Sequence, residues 1–152
     1  MKTVWTNGCF DILHRGHVEL LNYCKSLGRV VVGINSDESV RRLKGSGRPV
    51  NNQEDRAYML QSLRSVDEVV IFEEDTPYKA IKRVGPSLLV KGGDYDEEIE
   101  DPSDERYVVG CDLCEVKIFN RIGDYSSTSY LSEFGGHKLI PLRSRPQGKS
   151  EN

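Results

Sequence analysis

Short apolar runs alternate with amphipathic stretches along most of this chain. Runs rich in Val, Ile, Leu and aromatic side chains predict five β-strands, at residues 4–6, 29–35, 68–72, 87–90 and 115–119. The second run is apolar at nearly every position, which is typical of a strand buried on both faces.

Between these runs the apolar positions recur at helical spacing. Four helices are predicted, the first over residues 17–28. The second spans residues 38–43 after Ser36 or Asp37 as cap, and the third spans residues 51–64 from Asn51 or Asn52. The fourth begins with Thr76 as cap and Pro77 in its first turn. Strands that alternate with helices predict an α/β protein with a Rossmann-like, doubly wound parallel sheet of about five strands and right-handed crossovers. Ligands of such sheets lie beyond the carboxyl ends of the strands.

Length and composition indicate a single domain that is large enough to be an enzyme. A chain of 152 residues with 37% hydrophobic side chains supports a single core of modest size. We expect the domain to span residues 1–134. Residues 135–152 are dominated by Gly, Pro, Arg, Lys and Ser, and we expect them to form a mobile tail.

Charge and hydropathy limit the partners. The net charge of -3 provides no general attraction to nucleic acid. No apolar run approaches the length of a membrane span, and the first residues do not resemble a secretory signal. The sequence therefore predicts a cytoplasmic protein that binds small molecules, and neither nucleic acid nor a membrane.

The junction between the first predicted strand and helix carries the densest chemistry of the chain. Gly8 and Gly16 permit tight turns and close approach of a ligand, and a helix start offers unpaired N–H groups. His14 and His17 lie three residues apart, so both project to one side of a helical turn and can donate to phosphate oxygens. A histidine here also suits a structural cap or part of a metal site. No third histidine is near in sequence, so no metal ligand set is predicted.

Gly8-Cys9-Phe10-Asp11 followed by His14-x-Gly16-His17 resembles the hallmark of a nucleotidyltransferase superfamily. That superfamily includes cytidylyltransferases, pantetheine-phosphate adenylyltransferase and the adenylyltransferase half of bacterial ADP-heptose synthases. The resemblance spans about residues 3–134 and implies that His14 and His17 stabilise charge on a nucleoside triphosphate during attack on its α-phosphorus. It also implies a binding role for the residues around the two histidines, namely Asn7, Gly8, Cys9, Phe10, Asp11 and Gly16. Among these, Asp11 is expected to support a histidine or a metal.

A basic cluster with glycines occupies residues 41–49 of this otherwise acidic chain. Such a segment is often only a solvated loop, but here it follows the second predicted strand and can fold over a triphosphate. The family resemblance places a mobile, catalytic lysine at Lys44. It also implies that Arg56 helps to bind phosphate or to close the site, with Arg48 as a weaker candidate for the same work.

Lys91-Gly92-Gly93-Asp94-Tyr95 follows the fourth predicted strand. Asp94 can accept hydrogen bonds from sugar hydroxyls or simply cap the turn. The run is similar to a loop of heptose-phosphate adenylyltransferases, whereas many polyol cytidylyltransferases have Gly-Asp-Asp instead. It therefore favours ATP over CTP and implies binding roles for Lys91, Gly92 and Asp94. The acidic residues 96–104 predict a solvated loop or a path for substrate access.

Two further patterns remain. Ser126-Ser127-Thr128 is typical of a helix cap, and it also resembles the closing phosphate-binding motif of the family, although residues 127–129 fit that motif in a second register.

Cys111-x-x-Cys114 has the spacing of a redox pair or of half a zinc site. Because Cys9 and Cys24 lie far away in sequence, we predict four free thiols.

The resemblance implies transfer of AMP from ATP, with Mg²⁺, to a sugar 1-phosphate such as heptose 1-phosphate, which yields an ADP-sugar and pyrophosphate. A cytidylyltransferase for glycerol phosphate or another polyol phosphate is the first alternative, and a catalytically silent nucleotide-binding regulatory domain is the second. Relatives imply a homodimer. Because ADP-heptose synthases commonly fuse this domain to a sugar kinase, we expect a separate kinase to supply the sugar phosphate.

Overall fold

The alternation of strands and helices is realised in the computed structural model, which describes residues 1–120. The elements in that range are β1 (Thr3–Gly8), α1 (Arg15–Leu27), β2 (Arg29–Asn35), α2 (Asp37–Lys44), α3 (Gln53–Gln61), β3 (Glu68–Phe72), α4 (Tyr78–Val84), β4 (Leu88–Gly92) and β5 (Glu115–Phe119). The expected tail and its boundary near residue 134 lie outside the described residues, as do Ser126, Ser127 and Thr128.

The five strands form one parallel sheet in the order β3-β2-β1-β4-β5. This arrangement confirms the predicted doubly wound α/β fold. The chain builds outward from β1 to β3 and then returns to place β4 on the other side of β1. The direction of winding therefore reverses between β1 and β4, so the ends of these strands, at Gly8 and Gly92, flank the crevice where ligands of such sheets bind.

Apolar side chains cover both faces of the sheet, because successive residues of a strand point to opposite faces. Val4 belongs to the core cluster that includes Leu21 of α1 and Leu60 of α3, whereas its neighbour Trp5 belongs to the cluster on the other face. The indole requires a glycine beside it on β2. A Cβ atom at Gly33 would lie 2.2 Å from Cζ2 of Trp5.

Among the helix boundaries that differ from the predicted ones, three have an identifiable structural reason. α1 begins at Arg15, two residues earlier than predicted, because His14 is itself the N-cap. α3 ends at Gln61, since tighter turns after it bring the following residues down onto the core. The predicted cap at Thr76 is wrong: Pro77 takes the N-cap position of α4, and no side chain caps that helix.

The other caps follow the predictions. The Ser36 hydroxyl accepts from the Ser39 N–H at the start of α2, and the Asn52 side chain accepts from the Asp55 N–H at the start of α3. Within the described range, no helix combines the length and the apolar composition that a membrane crossing requires.

Candidate functional site

A cavity of about 740 Å³ opens at the carboxyl ends of the strands, across the point where the winding reverses. It collects predicted site residues from the β1–α1 junction, the end of α2 and the end of β4. The predicted residues that line it are Asn7, Gly8, Cys9, Phe10, His14, Gly16, His17, Lys44, Lys91, Gly92 and Asp94. Three segments far apart in sequence therefore face one volume.

His14 and His17 form a reciprocal cap at the start of α1. Nδ1 of His14 accepts from the His17 N–H at 3.4 Å, and Nδ1 of His17 accepts from the His14 N–H at 3.3 Å. The two rings are stacked, with centroids 3.7 Å apart and planes inclined by 18°. This network assigns the hydrogen of each neutral ring to Nε2, because Nδ1 acts as an acceptor. Capping and lining the cavity are thus two roles of one pair of side chains.

The backbone of the junction is strained at Phe10. Its φ of 47° lies in the left-handed region, which a bulky residue rarely adopts. The Phe10 ring is buried, lies 4.9 Å from the His17 ring, and covers Gly8, where a Cβ atom would be 3.2 Å from its Cε2. The strained turn thus packs the aromatic ring against the histidine pair and supports one side of it.

Lys91 is the buried cation of the cavity. Its Nζ donates to the Asn7 carbonyl at 3.2 Å and lies 4.3 Å from the centroid of the Tyr95 ring, while only 8% of the residue is exposed. Burial lowers the pKa of Lys91 to about 8, because desolvation disfavours the charged form. An anionic ligand in the cavity would favour the protonated lysine and would be held by it in return.

Lys44 reaches the cavity from the last residue of α2 and is exposed. The helix is attached to the chain after β3 through Arg42, whose Nε donates to Asp75 at 2.8 Å and whose Nη2 donates to the Glu73 carbonyl. Gly45 follows with a φ of 92°, a conformation that favours glycine, and ends the helix there. Lys44 therefore sits at the junction between an anchored helix and a glycine-containing loop.

Arg56 lies behind the main cavity and does not line it, so the structure does not place its guanidinium where a bound phosphate would contact it. Its guanidinium is buried and all three nitrogens donate within the protein. The acceptors are the carbonyls of Asn51, Cys9 and Asn35 and the carboxylate of Asp37, at 2.9, 2.9, 2.8 and 2.9 Å. Arg56 is thus a positioning residue that holds together the segments around the site.

Asp11 also differs from the expectation that it supports a histidine or a metal. Its Oδ1 accepts from the Asn51 N–H at 2.8 Å, and its Oδ2 accepts from the Val50 N–H at 2.9 Å and from Nε of Arg48 at 3.2 Å. Neither Asp11 nor Arg48 lines the main cavity. The carboxylate instead fastens the chain before α3 to the β1–α1 junction, and it holds Arg48 there.

Several residues that line the cavity are not among the site residues predicted from the sequence. Thr6 of β1 is buried, and its hydroxyl has no hydrogen-bond partner among residues 1–120 although it lines the cavity. A polar residue within a buried strand run was the available signal. The long connection from β4 to β5 also contributes lining residues from 102–109, including Glu105 and Tyr107. The acidic segment 96–104 therefore extends into the site at its end.

The structure offers no resident metal centre in the part of the chain that it describes. No group of three or more His, Cys, Asp or Glu side chains there could hold a metal ion. All four cysteines are free thiols, and burial raises the pKa of Cys24 to about 12, so that thiol is inert in the core.

Comparison with known proteins places these features in a family. Residues 5–132 match the family model described as cytidylyltransferase-like. Curated relatives include the bifunctional protein HldE of Nitratiruptor, 55% identical over 130 residues, and that of Aliarcobacter butzleri, 52% identical over 130 residues. Each alignment covers 84% of this chain and 26% of the relative. The chain thus spans about a quarter of the length of these curated relatives.

Comparison with solved structures supports the same fold. A lipopolysaccharide core biosynthesis protein from Thermoplasma volcanium superposes with a TM-score of 0.61 and 31% identity, over 83% of this chain and 99% of that one. A protein of unknown function from Archaeoglobus fulgidus has a TM-score of 0.52 at 20% identity, over 77% of this chain and 97% of that one, and it supports the fold alone.

We predict that Thr6→Val weakens nucleoside triphosphate binding about tenfold, since an unpaired buried hydroxyl costs on the order of 1–3 kcal/mol that a bound ligand can recover. Valine has a similar shape, so the thermal stability of the free protein should be unchanged or higher. Calorimetric titration and thermal unfolding measure the two effects. Thr3→Val, at the other end of β1, is the matched control. Unchanged affinity of Thr6→Val, with raised stability, would show that the ligand does not use this hydroxyl.

We predict that triphosphate binding weakens as the pH rises through about 8, where Lys91 loses its proton because burial has lowered its pKa from 10.5. Stability changes in the opposite direction. The unfolded chain holds this proton more tightly, so the free energy of unfolding gains from Lys91 as the pH rises from about 8 to 10.5. Titration calorimetry and urea unfolding on either side of pH 8 measure both trends.

Lys91→Met keeps the length of the side chain and removes the titrating group, so both trends should be lost in that variant. Lys82→Met removes an exposed lysine of α4 and should leave them intact. If Lys91→Met retained the pH dependence of affinity, another group would be responsible for it.

Proposed function

Because the chain belongs to the cytidylyltransferase-like family, we propose that it transfers AMP from ATP to a sugar 1-phosphate, preferably heptose 1-phosphate, and releases pyrophosphate. The observation that carries this proposal is the pair of histidines that cap the start of α1, just after β1, where the winding of the sheet reverses. A triphosphate bound there meets the start of α1, two imidazole donors and two lysines.

The proposed reaction is an in-line displacement without a covalent enzyme intermediate. An oxygen of the acceptor phosphate attacks the α-phosphorus of ATP, and the bond from that phosphorus to the pyrophosphate oxygen breaks. The protein's contribution is to position both substrates and to stabilise the charge that develops on the phosphates. We assign that stabilisation to His14 and His17 through Nε2–H and to the cations of Lys44 and Lys91.

The reciprocal cap explains why the histidines suit this work. Each Nδ1 is used by the backbone of the partner residue, so ring orientation and tautomer are set before the substrate arrives. Donors that need no reorganisation during the reaction stabilise charge most effectively. Phe10 and Arg56 act indirectly, the first against the His17 ring and the second through the Cys9 carbonyl.

Further contacts complete the proposed site. Asn7, Gly8, Cys9 and Gly16 line the cavity near the histidines, and Gly92 and Asp94 line it from the end of β4. We propose that Asp94 accepts hydrogen bonds from hydroxyls of the ribose or of the acceptor sugar. Ser126, Ser127 and Thr128 are proposed to add phosphate contacts, in keeping with the family resemblance of that segment.

The preference for ATP and for a heptose phosphate rests on two supports. One is the Lys91-Gly92-Gly93-Asp94-Tyr95 run, whose Lys91, Gly92, Asp94 and Tyr95 line the cavity. The other is the similarity to the bifunctional HldE proteins. The proposed acceptor carries a phosphate that ATP does not supply in this reaction, so a sugar kinase activity must act first.

Mg²⁺ is proposed only as the counterion that a triphosphate carries with it. The described residues do not fit a resident magnesium site, since they contain no cluster of three ligating side chains and both oxygens of the Asp11 carboxylate accept hydrogen bonds from the chain before α3. Mg²⁺ commonly binds through substrate phosphates and water. No step of the proposed mechanism depends on a protein-bound metal.

The decisive test measures pyrophosphate release with ATP or CTP, each combined with heptose 1-phosphate and with glycerol phosphate. We expect turnover with ATP and heptose 1-phosphate, and a loss on the order of 100-fold in kcat for His17→Ala, which removes a preorganised donor. His17→Asn keeps an acceptor for the His14 N–H and separates the cap from the chemistry. Arg15→Ala, at an exposed neighbour outside the cavity, is the control.

Each other outcome has a definite meaning. Turnover of CTP with glycerol phosphate would replace the proposal by a polyol-phosphate cytidylyltransferase. Binding of ATP without turnover across the whole panel would replace it by a nucleotide-binding regulatory domain. Equal loss of activity in His17→Ala and Arg15→Ala would indicate a general structural effect instead of a catalytic role for His17.

We also infer that the chain forms a homodimer through the apolar surface beside a second cavity of about 450 Å³. Tyr58 and Met59 line that cavity and are 70% and 53% exposed, which is unusual for large apolar side chains that are neighbours on one surface. Light scattering should show a dimer that dissociates in the Tyr58→Glu/Met59→Glu variant. A monomeric wild-type protein, or a variant that stays dimeric, would overturn this inference.

A further inference from the structure

A chain of hydrogen bonds through the protein interior ends in the wall of the main cavity. It begins at the Glu74 carbonyl after β3, which accepts from the Ser39 hydroxyl at 2.9 Å. The Ser39 oxygen in turn accepts from Nδ2 of Asn35 at 3.1 Å. Oδ1 of Asn35 accepts from the Cys9 thiol, at a distance of 3.8 Å. The chain therefore connects the segment after β3, the first turn of α2, the end of β2 and the residue that follows β1.

This network fixes the orientation of the Asn35 amide. The Glu74 carbonyl can only accept, so it takes the single hydrogen of the Ser39 hydroxyl. The Ser39 oxygen must then accept from Asn35, which places the amide nitrogen toward α2 and the amide oxygen toward Cys9. Asn35 and Cys9 line the main cavity, whereas Ser39 does not. The oxygen is therefore the cavity side of this amide.

The amide oxygen is held in place, yet it is weakly used. Asn35 is 6% exposed, its main-chain carbonyl accepts from Nη1 of Arg56 at 2.8 Å, and its amide nitrogen is bound to Ser39. Among residues 1–120, the oxygen has the Cys9 thiol as its partner, and a thiol is a weak donor. A buried acceptor in this situation gains from a stronger donor, which a ligand in the cavity can supply.

The surroundings of Asn35 select the kind of donor. Asn35 pairs with Phe72 at the ends of β2 and β3, on the side of β1 away from β4. The lining residues that follow β3 are Asp75, Thr76 and Pro77, which provide a carboxylate, a hydroxyl and an apolar ring but no cation. An ionised phosphate oxygen can only accept, so it is repelled by the Asn35 oxygen and by this carboxylate. A hydroxyl group donates and carries no charge, so it suits both.

We propose that Asn35 is a specificity-determining residue, whose Oδ1 accepts a hydrogen bond from a hydroxyl of the acceptor sugar. The proposal rests on the proposed function for the identity of that acceptor. The phosphate of the same molecule is drawn toward the cations of the cavity, so the two ends of the acceptor are distinguished by their charge. An analogue without this hydroxyl leaves the amide oxygen with the thiol alone and binds more weakly.

Asn35→Leu tests the protein side of this contact, because leucine has a similar size and has no hydrogen-bonding group. We expect the dissociation constant for heptose 1-phosphate to rise about tenfold, the contribution of one hydrogen bond, and that for ATP to change less than twofold. Titration calorimetry measures both constants, and thermal unfolding reports whether the variant folds. Asn22→Leu is the matched control, since Asn22 binds Ser65 on an exposed part of α1 outside the cavity.

Analogues of heptose 1-phosphate that each lack one hydroxyl test the ligand side on the unaltered protein. We expect one position at which removal weakens binding to the wild type about tenfold and binding to Asn35→Leu less than twofold. The two changes are then not additive, because each removes the same hydrogen bond. The wild-type measurements do not depend on the folding of any variant.

Failure of this proposal and failure of the proposed function give different results, since binding is measured without turnover. Turnover of ATP with heptose 1-phosphate, combined with losses that add at every hydroxyl position, would overturn the role of Asn35 and leave the transferase in place. A larger effect of Asn35→Leu on ATP than on the sugar phosphate would do the same. Sugar binding that depends on Asn35, in a protein without turnover, would instead support the contact and contradict the transferase.

Discussion

The buried guanidinium of Arg56 is the interaction on which the geometry of the site depends. A charge with almost no exposed surface is tolerated only where it is well paired, and all three guanidinium nitrogens of Arg56 donate, to three carbonyls and one carboxylate in total. The acceptors belong to Cys9 after β1, Asn35 at the end of β2, Asp37 at the start of α2 and Asn51 before α3. One side chain thus sets the spacing of four segments that surround the cavity.

Around that centre, the elements of the site serve the fold and the ligand together. Asp11 adds a second connection between the β1–α1 junction and the chain before α3. His14 and His17 satisfy the amide groups at the start of α1, and the same hydrogen bonds orient their rings toward one cavity. Because helix ends must be capped in any case, the capping hydrogen bonds of the fold also orient the histidines.

The part of the cavity lined by Lys91 and by the connection from β4 to β5 is supported differently. Lys91 carries its charge in a poorly solvated place, and the connection from β4 to β5 provides side chains that are held by turns and single contacts. A buried cation favours anionic ligands. Ligand affinity at Lys91 is therefore sensitive to pH, whereas the histidines are oriented by backbone hydrogen bonds.

The sequence by itself determined the order and type of the elements, the bounds of β2 and β5 and the histidine-containing junction, and it narrowed two helix caps to Ser36 or Asp37 and to Asn51 or Asn52. These features depend on periodicity and on hydrogen bonds between residues a few positions apart. Only the tertiary structure decided that Arg56 and Asp11 lie behind the cavity and that Thr6 and Tyr107 line it. Arg56 reaches carbonyls 21 and 47 residues away, and the burial of such a group is set by the packing of whole segments, which local patterns do not encode.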